Sequence, residues 1–379
     1  MVISMKNMNS TEKLYNEWLS LQPLKLELQH RMNQQFMFDF NYNSNHLEGN
    51  TLTYGQTKML LLFGRTEGEA LMRDYEEMKA HNVGLELMKK EALDKQRPLS
   101  ESFIRELNSI ILVGDFYKTS RDGDYRYKIH VGVYKTRPNS VITPTSELFN
   151  YASLEETPAM MSDLVKWYND EERKGILSPV EFSVLFHYRY IRIHPFEDGN
   201  GRIARLLVNY ILHRHGYPMI VIPTTDRNNY LDILNQCDNT TGTIPFDGAN
   251  ALKEQIKPFV DYIASFVEKK LSLVIPFAKG EIRSYTESDD LEKIIENQHR
   301  TKKSKQNDLE DDPENIAVKR QKVIVSFIRM NNKISMNEIS NILKVSQATV
   351  KRDLQRLKSE SIIKRIGGDR GGHWEIIKK

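Results

Sequence analysis

The feature that most constrains the fold of this 379-residue chain is one twelve-residue segment, His194–Arg205, which reads His-Pro-Phe-Glu-Asp-Gly-Asn-Gly-Arg-Ile-Ala-Arg. Apolar residues recur at helical spacing on both sides of it, so we predict that one helix ends near Ile193 and the next begins near Gly201. The glycines of the intervening turn lack a β-carbon, which allows backbone N–H groups to approach a ligand closely. Two helices therefore have to meet at a tight turn with accessible backbone.

This turn has the composition of a phosphate site. The first N–H groups of the following helix have no intrahelical acceptor and lie at the positive end of the helix dipole, an arrangement that binds anions. Arg202 and Arg205 are three residues apart and share one helical face, so both can bind further phosphate groups. The segment therefore predicts a site for a polyphosphate.

Two more residues of the segment add chemistry to this site. Asp198 supplies the single carboxylate that Mg²⁺ combines with phosphate oxygens and water. His194, as an ordinary histidine with a pKa of about 6.5, can accept a proton from a hydroxyl near neutral pH. A base, a metal ligand and a phosphate cradle on one loop indicate an enzyme that transfers a phosphate-linked group of a nucleotide.

The composition is that of a soluble globular protein in a reducing compartment. Hydrophobic residues make up 39% and charged residues 28% of the chain, and there is one cysteine, Cys237. The sequence contains no run of eighteen apolar residues and no apolar core of a signal peptide at its start. We expect a cytoplasmic protein without a membrane partner.

Charge is distributed unevenly along the chain. The net charge is only +3, but residues 316–379 contain fifteen lysines and arginines against five acidic residues. A basic C-terminal segment on an acidic body favours a nucleic-acid-binding or partner-binding module.

Periodicity predicts a mainly α-helical protein with four parts. These are an N-terminal helical region over 1–110, a helical core over 111–283, a linker over 284–315 and a C-terminal domain over 316–379. Pro23 interrupts the helical pattern of 10–36, which indicates either two helices or one kinked helix. Residues 125–134 alternate and are rich in β-formers, so we expect a short β-hairpin there.

The C-terminal domain resembles a winged helix-turn-helix, because two short helices precede two strands joined by a glycine-rich turn. That likeness implies that the helix over 347–358 enters the major groove of DNA. Docking to another protein is the alternative use of such a domain. The residues expected to contact DNA are Gln347, Lys351, Arg352, Arg356 and Arg370.

The twelve-residue segment resembles the signature of the Fic family, and the likeness covers about residues 40–270. It implies a mostly helical Fic fold with a small β-hairpin flap over 125–143, which adds a strand to the target protein. It also implies transfer of AMP from ATP to a protein hydroxyl. His194 would deprotonate the serine, threonine or tyrosine hydroxyl, Asp198 would hold Mg²⁺ and Phe196 would anchor the loop. The residues implied to bind the nucleotide are Gly199, Asn200, Gly201, Arg202, Arg205 and Tyr230.

A second segment, Ser44-Asn45-His46-Leu47-Glu48-Gly49, resembles the inhibitory motif of that family. The likeness implies that Glu48 pairs with Arg205 and takes the position of the γ-phosphate, so that ATP binds out of line for transfer. The simpler interpretation is a helix end, with Glu48 on the surface and Gly49 as the C-cap.

Several alternatives remain open at this stage. The enzyme could mainly remove AMP, with Glu48 positioning water. The chain could instead be a DNA-binding regulator whose Fic core senses nucleotide, although an intact His194 argues against a pure sensor. The resemblance also leaves open a homodimer and modification of the protein by itself, and the target protein is not identified.

Overall fold

The computed structural model describes residues 10–66, 68–119, 124–142 and 148–282, and, in the C-terminal part, 321, 324–325, 328, 332, 334–343, 345–367 and 372–377. The chain divides into two compact units, Met1–Glu292 and Lys293–Lys379. The predicted linker over 284–315 lies outside the described residues. Within the described part, no helix combines the length and apolarity needed to cross a membrane.

Helices dominate the first unit. They are α1 Ser10–Ser20, α2 Leu26–His46, α3 Tyr54–Phe63, α4 Met72–Leu93, α5 Glu101–Ile111, α6 Thr157–Lys174, α7 Pro179–Ile193, α8 Asn200–Arg214, α9 Arg227–Thr241, α10 Pro245–Ala249 and α11 Lys257–Lys279. Four short strands lie between α5 and α6: β1 Phe116–Thr119, β2 Arg126–Ile129, β3 Val141–Ile142 and β4 Leu148–Phe149.

Local sequence explains where the central helices begin. The Ser178 side chain caps α7, and the Glu181 carboxylate accepts a hydrogen bond from the Ser178 backbone N–H. Pro179 occupies the first turn, where no N–H is needed. The predicted break at Pro23 is confirmed, because α1 and α2 are separate helices.

The core is built around the antiparallel pair α7 and α8. Phe186 and Tyr190 of α7 and Leu207 and Tyr210 of α8 are fully buried in one apolar cluster, to which helices of the predicted N-terminal region also contribute. Because both helices are buried on nearly every face, their ends are held rigidly. The loop that joins them is therefore positioned by the whole core.

The hairpin prediction was wrong in its placement. Residues 126–129 do form a strand, but β2 pairs antiparallel with β1 upstream, with Phe116 opposite Ile129. The expected continuation to 134 is a turn, because Gly132 adopts a left-handed φ of +72° and its N–H donates to the Asn108 side chain. A second two-residue pairing, β3 with β4, lies further along.

The second unit contains two helices and a hairpin. α12 Met336–Leu343 and α13 Gln347–Ser359 are followed by β5 Ile363–Ile366 and β6 His373–Ile376, which pair antiparallel. Ser346 caps α13 by accepting from the Thr349 N–H. Val350, Leu354 and Leu357 of α13 pack with Trp374 in a separate apolar cluster, which gives this unit its own core.

A matched pair of leucines tests the importance of the α7–α8 core. Leu207→Ala should lower the free energy of unfolding by about 2–5 kcal/mol, because a fully buried side chain leaves a cavity. Leu231→Ala on α9, where the leucine is 37% exposed, should cost about 0.5 kcal/mol or less. Urea titration of both variants measures the difference, and equal losses would contradict this account of the core.

Candidate active site

The loop between α7 and α8 reverses the chain through two left-handed residues. His194 follows the last residue of α7 with φ +51°, and its N–H donates to the Tyr190 carbonyl over 2.9 Å. Gly199 precedes α8 with φ +81°. A left-handed conformation is strained for a residue with a side chain, so His194 needs its surroundings to hold it there.

Asn200 holds this loop closed. Its side-chain oxygen accepts from the Phe196 N–H over 3.0 Å, and its side-chain N–H₂ donates to the Phe196 carbonyl over 2.7 Å. The Phe196 ring is fully buried beneath the loop. The amide is therefore a structural clip, and Phe196 anchors the loop in the core as the resemblance implied.

His194 is held by residues that the sequence analysis missed. The side-chain N–H₂ of Asn139 lies 2.7 Å from His194 Nδ1, and the Tyr151 ring stacks on the imidazole with centroids 4.1 Å apart. Burial, together with the neighbouring Lys135, lowers the pKa of His194 to about 3, although Asp198 opposes the shift. The imidazole is therefore neutral at physiological pH and can serve as a base.

The orientation of Asn139 determines which ring nitrogen of His194 carries the hydrogen. Its side-chain oxygen accepts from Lys135 Nζ, and its N–H₂ donates to the carbonyl groups of His194 and Phe196. The same N–H₂ faces Nδ1, so Nδ1 is an acceptor and the neutral ring has its hydrogen on Nε2.

Asp198 lies at the mouth of this loop among cations. Its Oδ2 is 2.6 Å from Lys118 Nζ, and its Oδ1 accepts from the Gly199 N–H over 2.6 Å. Burial raises the pKa of Asp198, but Lys118 and Arg202 outweigh burial and hold it below its ordinary value. Asp198 is thus an anion that already attracts a cation.

The donor set around Asp198 suits Mg²⁺. In the described part of the chain, no group of three or more His, Cys, Asp or Glu side chains could enclose a metal ion. Mg²⁺ commonly takes only one or two protein carboxylates and completes its shell with phosphate oxygens and water. A phosphate-bearing ligand would therefore have to supply the remaining donors.

The two arginines of α8 are buried and paired with carboxylates from other parts of the chain. Arg202 Nη1 donates to Glu77 of α4 over 2.8 Å. No sequence motif marks Glu77 as its partner. Arg205, only 4% exposed, donates from Nη2 to Glu48 Oε1 over 2.7 Å. Its Nε donates to Ser44 Oγ over 3.1 Å. The implied Glu48–Arg205 contact is present in the structure.

Glu48 reaches this position from the end of α2. The helix ends at His46, and its C-cap residue is Leu47. Gly49, which follows Glu48 with φ +95°, therefore lies beyond the C-cap. The Glu48 carboxylate lies directly against the Cα of Gly201, where a β-carbon would collide with it. Glu48 therefore covers the first turn of α8, the predicted anion site.

Tyr230, on α9, is buried like the arginines of α8. Its hydroxyl lies 2.9 Å from His187 Nε2 and also interacts with Arg205, and its ring is buried in an apolar cluster. The fold thus places Tyr230 close to Arg205 and packs its ring in the core.

The first unit brings together the predicted catalytic, metal, inhibitory and phosphate residues. The predicted DNA-contacting residues lie in the other unit, where Gln347, Lys351 and Arg352 are exposed and Arg356 is half-buried and paired with Glu360. Arg370 lies outside the described residues.

The neutral state of His194 can be tested in the nucleotide-free protein. Because its pKa is held near 3, its ring resonances should not titrate between about pH 8 and about pH 5, whereas an ordinary histidine would titrate near pH 6.5. NMR of the histidine Cε1–H groups measures this, with the His194 signal assigned by its loss in His194→Ala. A midpoint between pH 6 and 7 would show that burial does not control this group.

Comparisons with known sequences identify one family in each of the two units. The profile of the Fic/DOC family matches residues 98–212, and that of a DeoR-like helix-turn-helix domain matches residues 320–370. Protein adenylyltransferase fic-1 of Caenorhabditis briggsae is 27% identical over 277 residues, which are 72% of this chain and 48% of that protein. The chain spans about half the length of the curated relatives it matches.

Comparisons with solved structures show the fold. Fic-1 from C. elegans is 24% identical, with a TM-score of 0.56 over 72% of this chain and 73% of that one. A Fic-domain-containing signaling protein from Bacteroides thetaiotaomicron is 62% identical, with a TM-score of 0.69 over 73% of this chain and 99% of that one. This identity and coverage show that the chain belongs to the Fic family.

Proposed function

We propose that this protein is an adenylyltransferase that transfers AMP from Mg²⁺·ATP to a hydroxyl of a protein, and that Glu48 inhibits the transfer within the same chain. The observation that carries the proposal is the Glu48 carboxylate, which is bound to Arg205 and placed over the first turn of α8. Relatives at 25–29% identity bear the name protein adenylyltransferase, which supports the reaction.

The nucleotide phosphates would bind at the start of α8. Free N–H groups and the positive end of the dipole lie there, and Gly201 has no β-carbon on the side where the Glu48 carboxylate lies. Arg202 and Arg205 line the same face. When bound, Mg²⁺ would be held by Asp198 and would neutralise phosphate charge as the leaving group departs.

His194 would then take the proton of the target hydroxyl. The hydroxyl oxygen forms a bond to the α-phosphorus, the bond to the β-phosphate bridging oxygen breaks, and pyrophosphate leaves with that electron pair. The low pKa keeps the imidazole unprotonated at neutral pH, but it also makes the ring a weak proton acceptor in this structure. Before it accepts the proton, Asn139 must release Nδ1 or the ring must change tautomer.

Glu48 opposes this reaction by occupying Arg205. A γ-phosphate and the Glu48 carboxylate are both negatively charged, and both would bind the Arg205 guanidinium. While Glu48 is bound there, the γ-phosphate is excluded or binds elsewhere. ATP held out of line cannot be attacked opposite the leaving group. Removal of the carboxylate should free Arg205 for the nucleotide.

Intact-protein mass spectrometry after incubation with ATP and Mg²⁺ tests the proposal, with the protein itself as the first candidate target. Glu48→Gly should add adenylyl mass at least about tenfold faster than wild type, as expected for the loss of about 1.4 kcal/mol or more of inhibitory interaction. Glu48→Gly/His194→Ala should add none.

Glu172→Gln is the matched control, because Glu172 of α6 pairs with Arg214 at the C-terminal end of α8. Its rate should stay at the wild-type level, which would exclude general loosening of α8. Equal rates for Glu48→Gly and wild type would disprove the inhibitory role. Loss of AMP from pre-modified protein, catalysed by wild type and absent in Glu48→Gly, would instead indicate an enzyme that removes AMP.

For the second unit we propose binding of duplex DNA through α13. Gln347, Lys351 and Arg352 are exposed on this helix, while its opposite face forms the core of the unit. A polar and basic face on the second helix of a helix-turn-helix suits the negatively charged major groove.

Filter binding to random duplex DNA tests this second proposal. Lys351→Ala/Arg352→Ala should weaken binding about tenfold at low salt and reduce its salt dependence, because two phosphate contacts are lost. Lys364→Ala, whose lysine pairs with Glu375 on the hairpin, is the comparison variant. Absence of binding by wild type at low salt would leave protein docking as the use of this unit.

A further inference from the structure

Lys118 is a charged residue beside the candidate metal ligand to which neither the motif nor the chemistry above assigns a role. It lies on β1, and its Nζ is 2.6 Å from Asp198 Oδ2. The lysine side chain is 38% exposed and the aspartate side chain 19% exposed, so the pair is at the mouth of the site rather than in the core. A cation of the protein therefore stands where the divalent ion would bind.

The other oxygen of Asp198 is already engaged. Oδ1 accepts from the Gly199 N–H over 2.6 Å and lies 3.6 Å from Arg202 Nη2. A divalent ion would have to approach from the side of Oδ2, where the Lys118 ammonium would repel it at short range. One carboxylate at the site mouth cannot hold both cations closely.

We propose that Lys118 is a competing cation that holds Asp198 until a divalent ion displaces it. The proposal concerns the same site as the adenylyltransferase activity and rests on that proposed function for its biological meaning. While it is paired with Asp198, Lys118 suppresses binding of the metal ion alone. Nucleotide phosphates add oxygen ligands to the metal ion, so the metal ion displaces the ammonium when it binds together with the nucleotide.

The surroundings of β1 allow this exchange without movement of the strand. Phe116, on the same face of β1 as Lys118, packs against the main apolar cluster, and the Arg73 guanidinium lies over its ring at 4.3 Å. Lys118 Nζ, while paired with Asp198, is 5.9 Å from the centroid of the same ring. The strand thus stays anchored while the flexible lysine side chain moves.

Mn²⁺ binding to the full-length, nucleotide-free protein tests the proposal directly, with free Mn²⁺ measured by electron paramagnetic resonance. Lys118→Met, which removes the charge and keeps the length, should bind Mn²⁺ about three- to tenfold more tightly, as expected for loss of a partly exposed ion pair. Lys118→Arg should behave as wild type. Asp198→Asn should abolish the gain when combined with Lys118→Met.

Lys128→Met is the matched control, because Lys128 lies on the paired strand β2 and binds Asp115 instead of Asp198. Its Mn²⁺ affinity should be unchanged. Calorimetry of ATP binding at increasing Mg²⁺ provides a second measurement, in which Lys118→Met should need less Mg²⁺ for half-maximal binding.

Two results would overturn the role of Lys118. Equal Mn²⁺ affinities for wild type and Lys118→Met would show that the pair does not compete with the metal ion. Weaker ATP binding by Lys118→Met at saturating Mg²⁺ would make Lys118 a phosphate ligand instead. The Mn²⁺ measurement contains neither ATP nor a transfer step, so failure of adenylyl transfer would leave its outcome interpretable.

Discussion

The reversal between α7 and α8 is the constraint on which the rest of the site depends. His194 leaves one buried helix and Gly199 enters the next, both in the left-handed region, so the carboxyl end of α7 faces the positive end of α8. For His194 this conformation is strained, and the hydrogen bonds of Asn139 and Asn200 hold it. This strained conformation places the His194 imidazole, the only basic side chain of the loop, beside the predicted anion site.

The predicted anion site is occupied by charged side chains of the protein itself. Glu48 pairs with Arg205, Glu77 with Arg202 and Lys118 with Asp198. A buried charge without a partner would cost several kcal/mol, so these charged side chains are held as ion pairs. In the proposed function, a nucleotide with its metal ion would exchange these pairs, which would give the protein a means of controlling access.

The sequence predicted a mainly helical protein, because apolar residues recur at helical spacing along the buried face of a long helix. It failed at the strands. β1 has only four residues, and its pairing with β2 places Phe116 opposite Ile129, a register that no local pattern predicts. The alternation of 125–134 was misleading since Gly132 satisfies its N–H through Asn108, a residue on α5.

The sequence by itself determined which side chains the loop presents, because His194, Asp198, the glycines and both arginines lie within one segment whose local geometry follows from two helix ends. It also placed Glu48 as the partner of Arg205, but only through a motif. The tertiary structure alone decided the residues that hold and balance that loop. Asn139, Tyr151, Glu77 and Lys118 come from separate elements. No local pattern marks them, since their roles arise from packing between distant parts of the chain.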